Sequence, residues 1–105
     1  MYEYVLQRED GKVKIVIDLQ TSYGSKPKFV VRDIRTCAKG KRKFISIGDL
    51  ERDGYKYRHT DYEKREEYIR SVFLRYCTIE EIEAAIEDVI SQIRPTREEI
   101  CFRVL

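Results

Sequence analysis

The chain has 105 residues, 42% hydrophobic and 38% charged, enough for one hydrophobic core and too few for two ordinary domains. No run of about 18 apolar residues occurs, and Met1-Tyr2-Glu3-Tyr4 lacks the basic start and apolar stretch of a secretory leader, so the expectation is an intracellular, cytoplasmic domain without membrane association. The formal net charge of +2 hides an asymmetry: residues 1–60 carry 14 basic and 8 acidic side chains, a balance of +6, and residues 61–105 carry 7 and 11, a balance of −4.

Strands come first. Residues 1–7 set Tyr2, Tyr4 and Leu6 on one side, and residues 13–19 alternate Val13, Ile15, Ile17 and Leu19 with Lys14, Val16 and Asp18, the period of half-buried strands. The link Arg8-Glu9-Asp10-Gly11-Lys12 predicts a tight hairpin, because Gly accepts the positive φ that such a turn needs. Residues 21–27 have loop composition and carry Tyr23. Residues 28–36, with Phe29, Val30, Val31 and Ile34, and residues 43–48, with Phe44, Ile45 and Ile47, predict a second hairpin. Its tip is Cys37-Ala38-Lys39-Gly40-Lys41-Arg42. After Asp53-Gly54, residues 55–59 read as a short fifth strand or an extended approach to a helix.

From residue 60 the period changes. Thr60 and Glu63 have the spacing of a capping box, in which a hydroxyl and a carboxylate satisfy backbone donors at a helix start. Tyr62, Ile69, Val72, Phe73 and Tyr76 then share one face, and Lys64, Arg65, Glu67, Arg70 and Arg75 fall on the remainder, an amphipathic helix of about four turns. Thr78 and Glu81 repeat the box before a seam of Ile79, Ile82, Ile86, Val89 and Ile93. That seam suits docking inside the fold or pairing with a second copy in a homodimer. Pro95 stops the helix, and residues 98–105 alternate Ile100, Phe102 and Val104 with Cys101 and Arg103, a terminal strand for this sheet or a partner's edge. A run of strands followed by a run of helices predicts a single α+β domain: an antiparallel sheet of four to five strands, two consecutive hairpins, with two amphipathic helices packed on one face.

Function is read from the basic half. Lys26, Lys28, Arg32, Arg35, Lys39, Lys41, Arg42 and Lys43 stand against Asp33 alone in residues 26–43, a balance of +7. Aromatic rings share this half, and residues 55–58 interleave Tyr55, Lys56, Tyr57 and Arg58 directly. Cations pair with phosphates and rings stack on bases, so the expected activity is binding of single-stranded DNA or RNA. The expected surface comprises Lys14, Tyr23, Lys28, Arg32, Arg35, Lys39, Lys41, Arg42, Lys43, Phe44, Tyr55, Tyr57 and Arg58. Within it Lys39, Lys41, Arg42 and Lys43 anchor phosphates, while Tyr23, Phe44, Tyr55 and Tyr57 stack. The competing readings are a solvated basic hairpin with its tyrosines in core or rim positions, and a small protein-interaction module of the kind that viruses and mobile elements use to inhibit a host protein. In element order alone, four strands then helix, the chain resembles single-strand-binding folds of the Whirly type, a fold analogy that assigns no residues.

Enzyme chemistry finds little to stand on, and the chain is read as non-enzymatic. His59 is the only histidine and lies beside a helix start; Cys37, Cys77 and Cys101 form no zinc spacing; the five glycines are scattered singly. Cys37 sits among basic residues, a setting that lowers a thiol pKa only where the thiol is exposed. Asp18, Asp33 and Asp49 lack the spacing of a metal-dependent nuclease. No catalytic, metal or cofactor residue is assigned. The absence of Asn, with Gln only at 7, 20 and 92, is the bias of a thermophilic source, where a disulfide within the cell is also tolerated.

Overall fold

The computed structural model describes residues 1–20, 28–56 and 62–92, with the backbone alone at 53–56, 62 and 65. Four antiparallel strands, β1 (Tyr2–Arg8), β2 (Gly11–Gln20), β3 (Lys28–Ala38) and β4 (Ile45–Ser46), form one sheet in sequence order. Three helices follow: α1 (Ile47–Lys56), α2 (Tyr62–Tyr76) and α3 (Ile79–Gln92). The architecture is α+β, as the order of sequence periods implies. No helix among the described residues is long and apolar enough to cross a membrane.

The alternating strands place their apolar sets as expected. Val13, Ile15 and Ile17 of β2 are buried against Ile34, with Tyr2, Tyr4 and Leu6 of β1 packed on the same cluster. Glu9 and Asp10 form the turn, and Arg8 pairs with Gly11. Gly11 has φ of +149°, and a Cβ there would collide with the Cys37 carbonyl. Glycine is therefore required by both backbone conformation and the closeness of β3.

β3 breaks strict alternation. Val16 faces Asp33, but Ile17 faces Val31, leaving Arg32 as an extra residue. This bulge shifts parity, so that Phe29 and Val31 before it and Ile34 after it all pack toward the core. On an unbulged strand, Phe29 and Val31 would lie with Asp33 on the opposite face.

The second hairpin departs from expectation. Only Ile45 and Ser46 of residues 43–48 pair with β3, opposite Thr36 and Arg35, and the chain enters α1 at Ile47. Residues 55 and 56 belong to that helix rather than to a fifth strand, and 57–59 lie outside the described residues. The cause is a capping arrangement built on Asp33, which is 8% exposed. Its Oδ1 accepts N–H bonds from Ile34 and Gly48, both at 2.9 Å. Its Oδ2 accepts from the Ser46 hydroxyl at 2.6 Å and from Arg35 Nε at 3.2 Å. Ser46 Oγ in turn accepts the Asp49 N–H at 3.1 Å. Two helix-start donors that a strand would have turned to a neighbour are thus satisfied by side chains. Gly48 permits the approach, since a Cβ there would stand 2.8 Å from Asp33 Oδ1.

α2 and α3 cover the core face. Ile69 and Phe73 of α2, Cys77 beyond it, and Ala85 and Val89 of α3 are buried in the main cluster, with Ile82 and Ile86 packed against it. The α3 seam is therefore occupied within the chain, leaving Ile79 exposed. Ile93, the 98–105 segment and the Thr60 cap lie outside the described residues. The second capping box forms as read: Glu81 N–H donates to Thr78 Oγ1 at 3.1 Å and Thr78 N–H to Glu81 Oε1 at 2.9 Å.

Replacing Asp33 with Ala strands two buried N–H groups, and the expected loss is about 3 kcal/mol of unfolding free energy. Asp18→Ala, which removes only the pairing with exposed Arg32, is expected to cost less than about 1 kcal/mol. Urea titration of both variants checks the contrast; equal losses would show that Asp33 does not organise the β4–α1 junction.

Candidate functional site

The sheet face turned away from the main core carries many of the predicted cations, and the register explains how. Lys12 lies beside Cys37, Lys14 beside Val5 and Arg35, and Val16 beside Glu3 and Asp33. This face is more closed than an open platform. Val16 is 2% exposed and Cys37 is also buried. Lys14 Nζ sits 3.3 Å from Glu3 Oε2 and 4.2 Å from the centre of the Phe44 ring. Phe44 is half-buried, and one side of its ring faces that ammonium, so the sheet offers no broad surface of free rings among the described residues.

Ion pairing divides the cations into two groups. Arg8, Lys14, Arg32, Arg35 and Arg52 are each held by a carboxylate: Glu81, Glu3, Asp18, Asp33 and Glu66 respectively. Arg32, Arg35 and Arg52 line one cleft of about 390 Å³ with Asp33, Asp49 and Glu66, where the charges balance. By contrast Lys39, Lys41, Arg42 and Lys43 are exposed and form no ion pair with any described residue. Their turn is anchored through its backbone: Lys39 N–H donates to the Asp10 carbonyl at 2.8 Å, Lys41 N–H to the Ala38 carbonyl at 2.9 Å, and the Cys37 thiol to the Lys41 carbonyl at 3.2 Å. Gly40, with φ of +81°, supplies the left-handed step.

At this end of the sheet two adjoining clefts of about 460 and 400 Å³ share Arg8, Lys12, Cys37 and Ala38. The larger reaches Arg75 and Tyr76 at the end of α2, and the smaller reaches Lys39 and Lys41. Five cations line the pair, Arg8, Lys12, Lys39, Lys41 and Arg75, against two carboxylates, Glu9 and Asp10. Lys12 and Arg75 are exposed and, like the turn, form no ion pair with a described residue. The predicted set thus separates. Lys39, Lys41, Arg42 and Lys43 gather at the sheet end; Lys14, Arg32 and Arg35 are consumed in ion pairs on the sheet face; Lys28 lies exposed opposite Gln20 at the other end. Tyr55 is placed by its helical backbone alone, and Tyr23, Tyr57 and Arg58 lie outside the described residues. Sequence reading missed Lys12, Arg75 and Tyr76. The last was expected on the core face of α2, yet it is 38% exposed. Its position one residue before the buried Cys77 and at the final turn of α2 was the available signal.

Arg8 braces this end. Its guanidinium donates to Glu81 Oε2 at 2.6 Å and Oε1 at 2.9 Å, and to the Tyr76 carbonyl at 3.2 Å. One residue of β1 thereby holds the C-terminus of α2 and the capping box of α3. The Arg8 bonds, and after them the Thr78 N–H, lower the Glu81 carboxyl from 4.5 to about 2. Burial pushes the neighbouring Cys77 thiol up, with Glu81 adding to the effect, which disfavours the reactive thiolate. Cys37 and Cys77 are both free and buried, and Cys101 lies outside the described residues. Among the described residues no three His, Cys, Asp or Glu side chains gather in a metal-holding group. Comparison with protein-family models, curated proteins and solved structures finds no match.

Because the folded Glu81 carboxyl titrates below its unfolded value, its contribution is complete above pH 4.5 and is lost as pH falls toward about 2. Chemical unfolding across that range should show a shallower acid loss in Glu81→Gln than in the unmodified chain, together with lower stability at neutral pH. Identical acid slopes would contradict the assignment.

Proposed function

We propose that this protein binds nucleic acid without catalysis, gripping the phosphates of single-stranded DNA or RNA with the exposed turn at 39–43. The observation that carries this reading is the contrast in pairing: Lys14, Arg32 and Arg35 on the sheet are neutralised by carboxylates, whereas Lys39, Lys41, Arg42 and Lys43 stay exposed and form no ion pair with a described residue. An unpaired cation keeps its full attraction for phosphate, and binding gains free energy by releasing condensed counterions. The turn's backbone bonds to Asp10 and Ala38 present the four side chains from a fixed base, which lowers the ordering cost of binding. A cytoplasmic setting is compatible with this reading, and the amide-poor composition is the bias of a hot habitat.

Fluorescence anisotropy with a labelled single strand at several salt concentrations tests the proposal. Binding is expected to be micromolar or tighter at low salt and to weaken steeply as salt rises. Replacing Lys39, Lys41, Arg42 and Lys43 together with Gln should reduce the log–log salt slope by about 3, while Arg32→Gln leaves it nearly unchanged. Absence of binding at low salt, or an unaltered slope in the fourfold variant, would overturn the proposal. The first of these results would favour a protein partner instead.

A further inference from the structure

A cluster of cations holds phosphate whether or not the bases are paired, so the basic turn alone does not select strandedness. We propose that the adjoining cleft at the end of α2 is a nucleotide subsite for single strands, with the Tyr76 ring as its stacking surface and Lys12 and Arg75 as its phosphate partners. This rests on the basic-turn reading and adds the element that discriminates.

The cleft of about 460 Å³ is lined by Tyr76, Arg75, Lys12, Arg8 and Thr36, with Asp10 as the carboxylate on its wall. Its size lies in the range of small-ligand sites. Tyr76 is 38% exposed, yet its backbone is fixed. Its carbonyl accepts from Arg8 Nη2 at 3.2 Å, and Cys77 immediately after it is buried, with its N–H bonded to the Phe73 carbonyl at 3.1 Å. An aromatic side chain is thus carried to solvent from an immobilised helix end, which is the preorganisation that stacking needs. Arg8 spends its charge on Glu81, whereas Lys12 and Arg75 are exposed and form no ion pair with a described residue. Asp10 repels phosphate from its own side of the cleft and so biases the backbone toward those two residues. Lys12 also lines the neighbouring cleft with Lys39 and Lys41, which gives a strand a continuous cationic path from the turn to the ring. A duplex keeps its bases stacked inside and cannot offer one to Tyr76; an unpaired strand can.

The test compares the unmodified chain, Tyr76→Leu and Tyr76→Phe against a short labelled oligothymidylate and a duplex of equal length at one low salt concentration. Tyr76→Leu is expected to weaken single-strand binding by about five- to a hundredfold with little change for the duplex, and Tyr76→Phe to bind as the unmodified chain does. In the unmodified protein, the ring protons of Tyr76 should shift in NMR spectra on titration with the oligonucleotide, a readout independent of any variant's folding. Single-strand binding by Tyr76→Leu equal to that of the unmodified chain, an equal loss on both probes, or unshifted Tyr76 ring protons would each overturn the subsite. If binding persists through Tyr76→Leu but is abolished by the fourfold turn substitution, the basic-turn reading survives alone; absence of any binding by the unmodified chain removes both.

Discussion

A carboxylate taken out of water must find donors or lose its charge, and Asp33 finds four in three consecutive elements. Ile34 belongs to β3, Ser46 to β4 and Gly48 to the first turn of α1. The same side chain thus ends the sheet and begins the helical layer. Its location depends on the bulge at Arg32, which turns Asp33 away from the core while Phe29, Val31 and Ile34 remain within it. Bulge, buried acid and helix start form one dependent set. Restoring strict pairing would carry the apolar residues at 29 and 31 to the face of Asp33.

A second charged junction closes the opposite region. Arg8 reaches from β1 to Glu81, which is already engaged with the Thr78 N–H, and also to the carbonyl ending α2. Elsewhere the same chemistry recurs at lower cost on partly exposed pairs, such as Arg32 with Asp18 and Lys14 with Glu3. Partly exposed pairs contribute little stability individually, but each removes a cation from the set available to an outside anion. The distinction between paired and unpaired cations is consequently more informative about binding than the total charge of the N-terminal half.

Much of the fold is legible in periodicity. β1 alternates cleanly, β2 does so apart from Val16, which is buried on the far side, and the Thr78–Glu81 box marks the start of α3. The misreading at residues 43–48 has a physical source. Phe44, Ile45 and Ile47 have strand composition, and Gly48 and Gly54 look like turn signals, but Ser46 and Asp49 already have capping spacing. Gly48 is tolerated because Asp33, distant in sequence, needs the space, and Gly54 sits inside a helix despite a cost of about 1 kcal/mol relative to alanine. The candidate site is less legible than the fold. Sequence shows where cations are abundant, and Arg35 stands two residues from Asp33 on one strand, where alternation alone puts them on one face; the pairing of Lys14 with Glu3 is hidden, since those two meet only through the β1–β2 register.

The distribution of charge argues for the sheet end over the sheet face as the contact surface. On the face, each described arginine has a carboxylate beside it and the apolar floor at Val16 is covered, so a phosphate arriving there must displace an existing partner. At the end, Lys12, Arg75 and the 39–43 turn require no displacement. The exposed Glu80, Glu83 and Glu87 make the outer face of α3 acidic, which disfavours a polyanion there. On the proposed function, attraction at one end and repulsion at the α3 face would together orient an incoming strand. The acidity of α3 would then bear on the proposed recognition without touching the ligand.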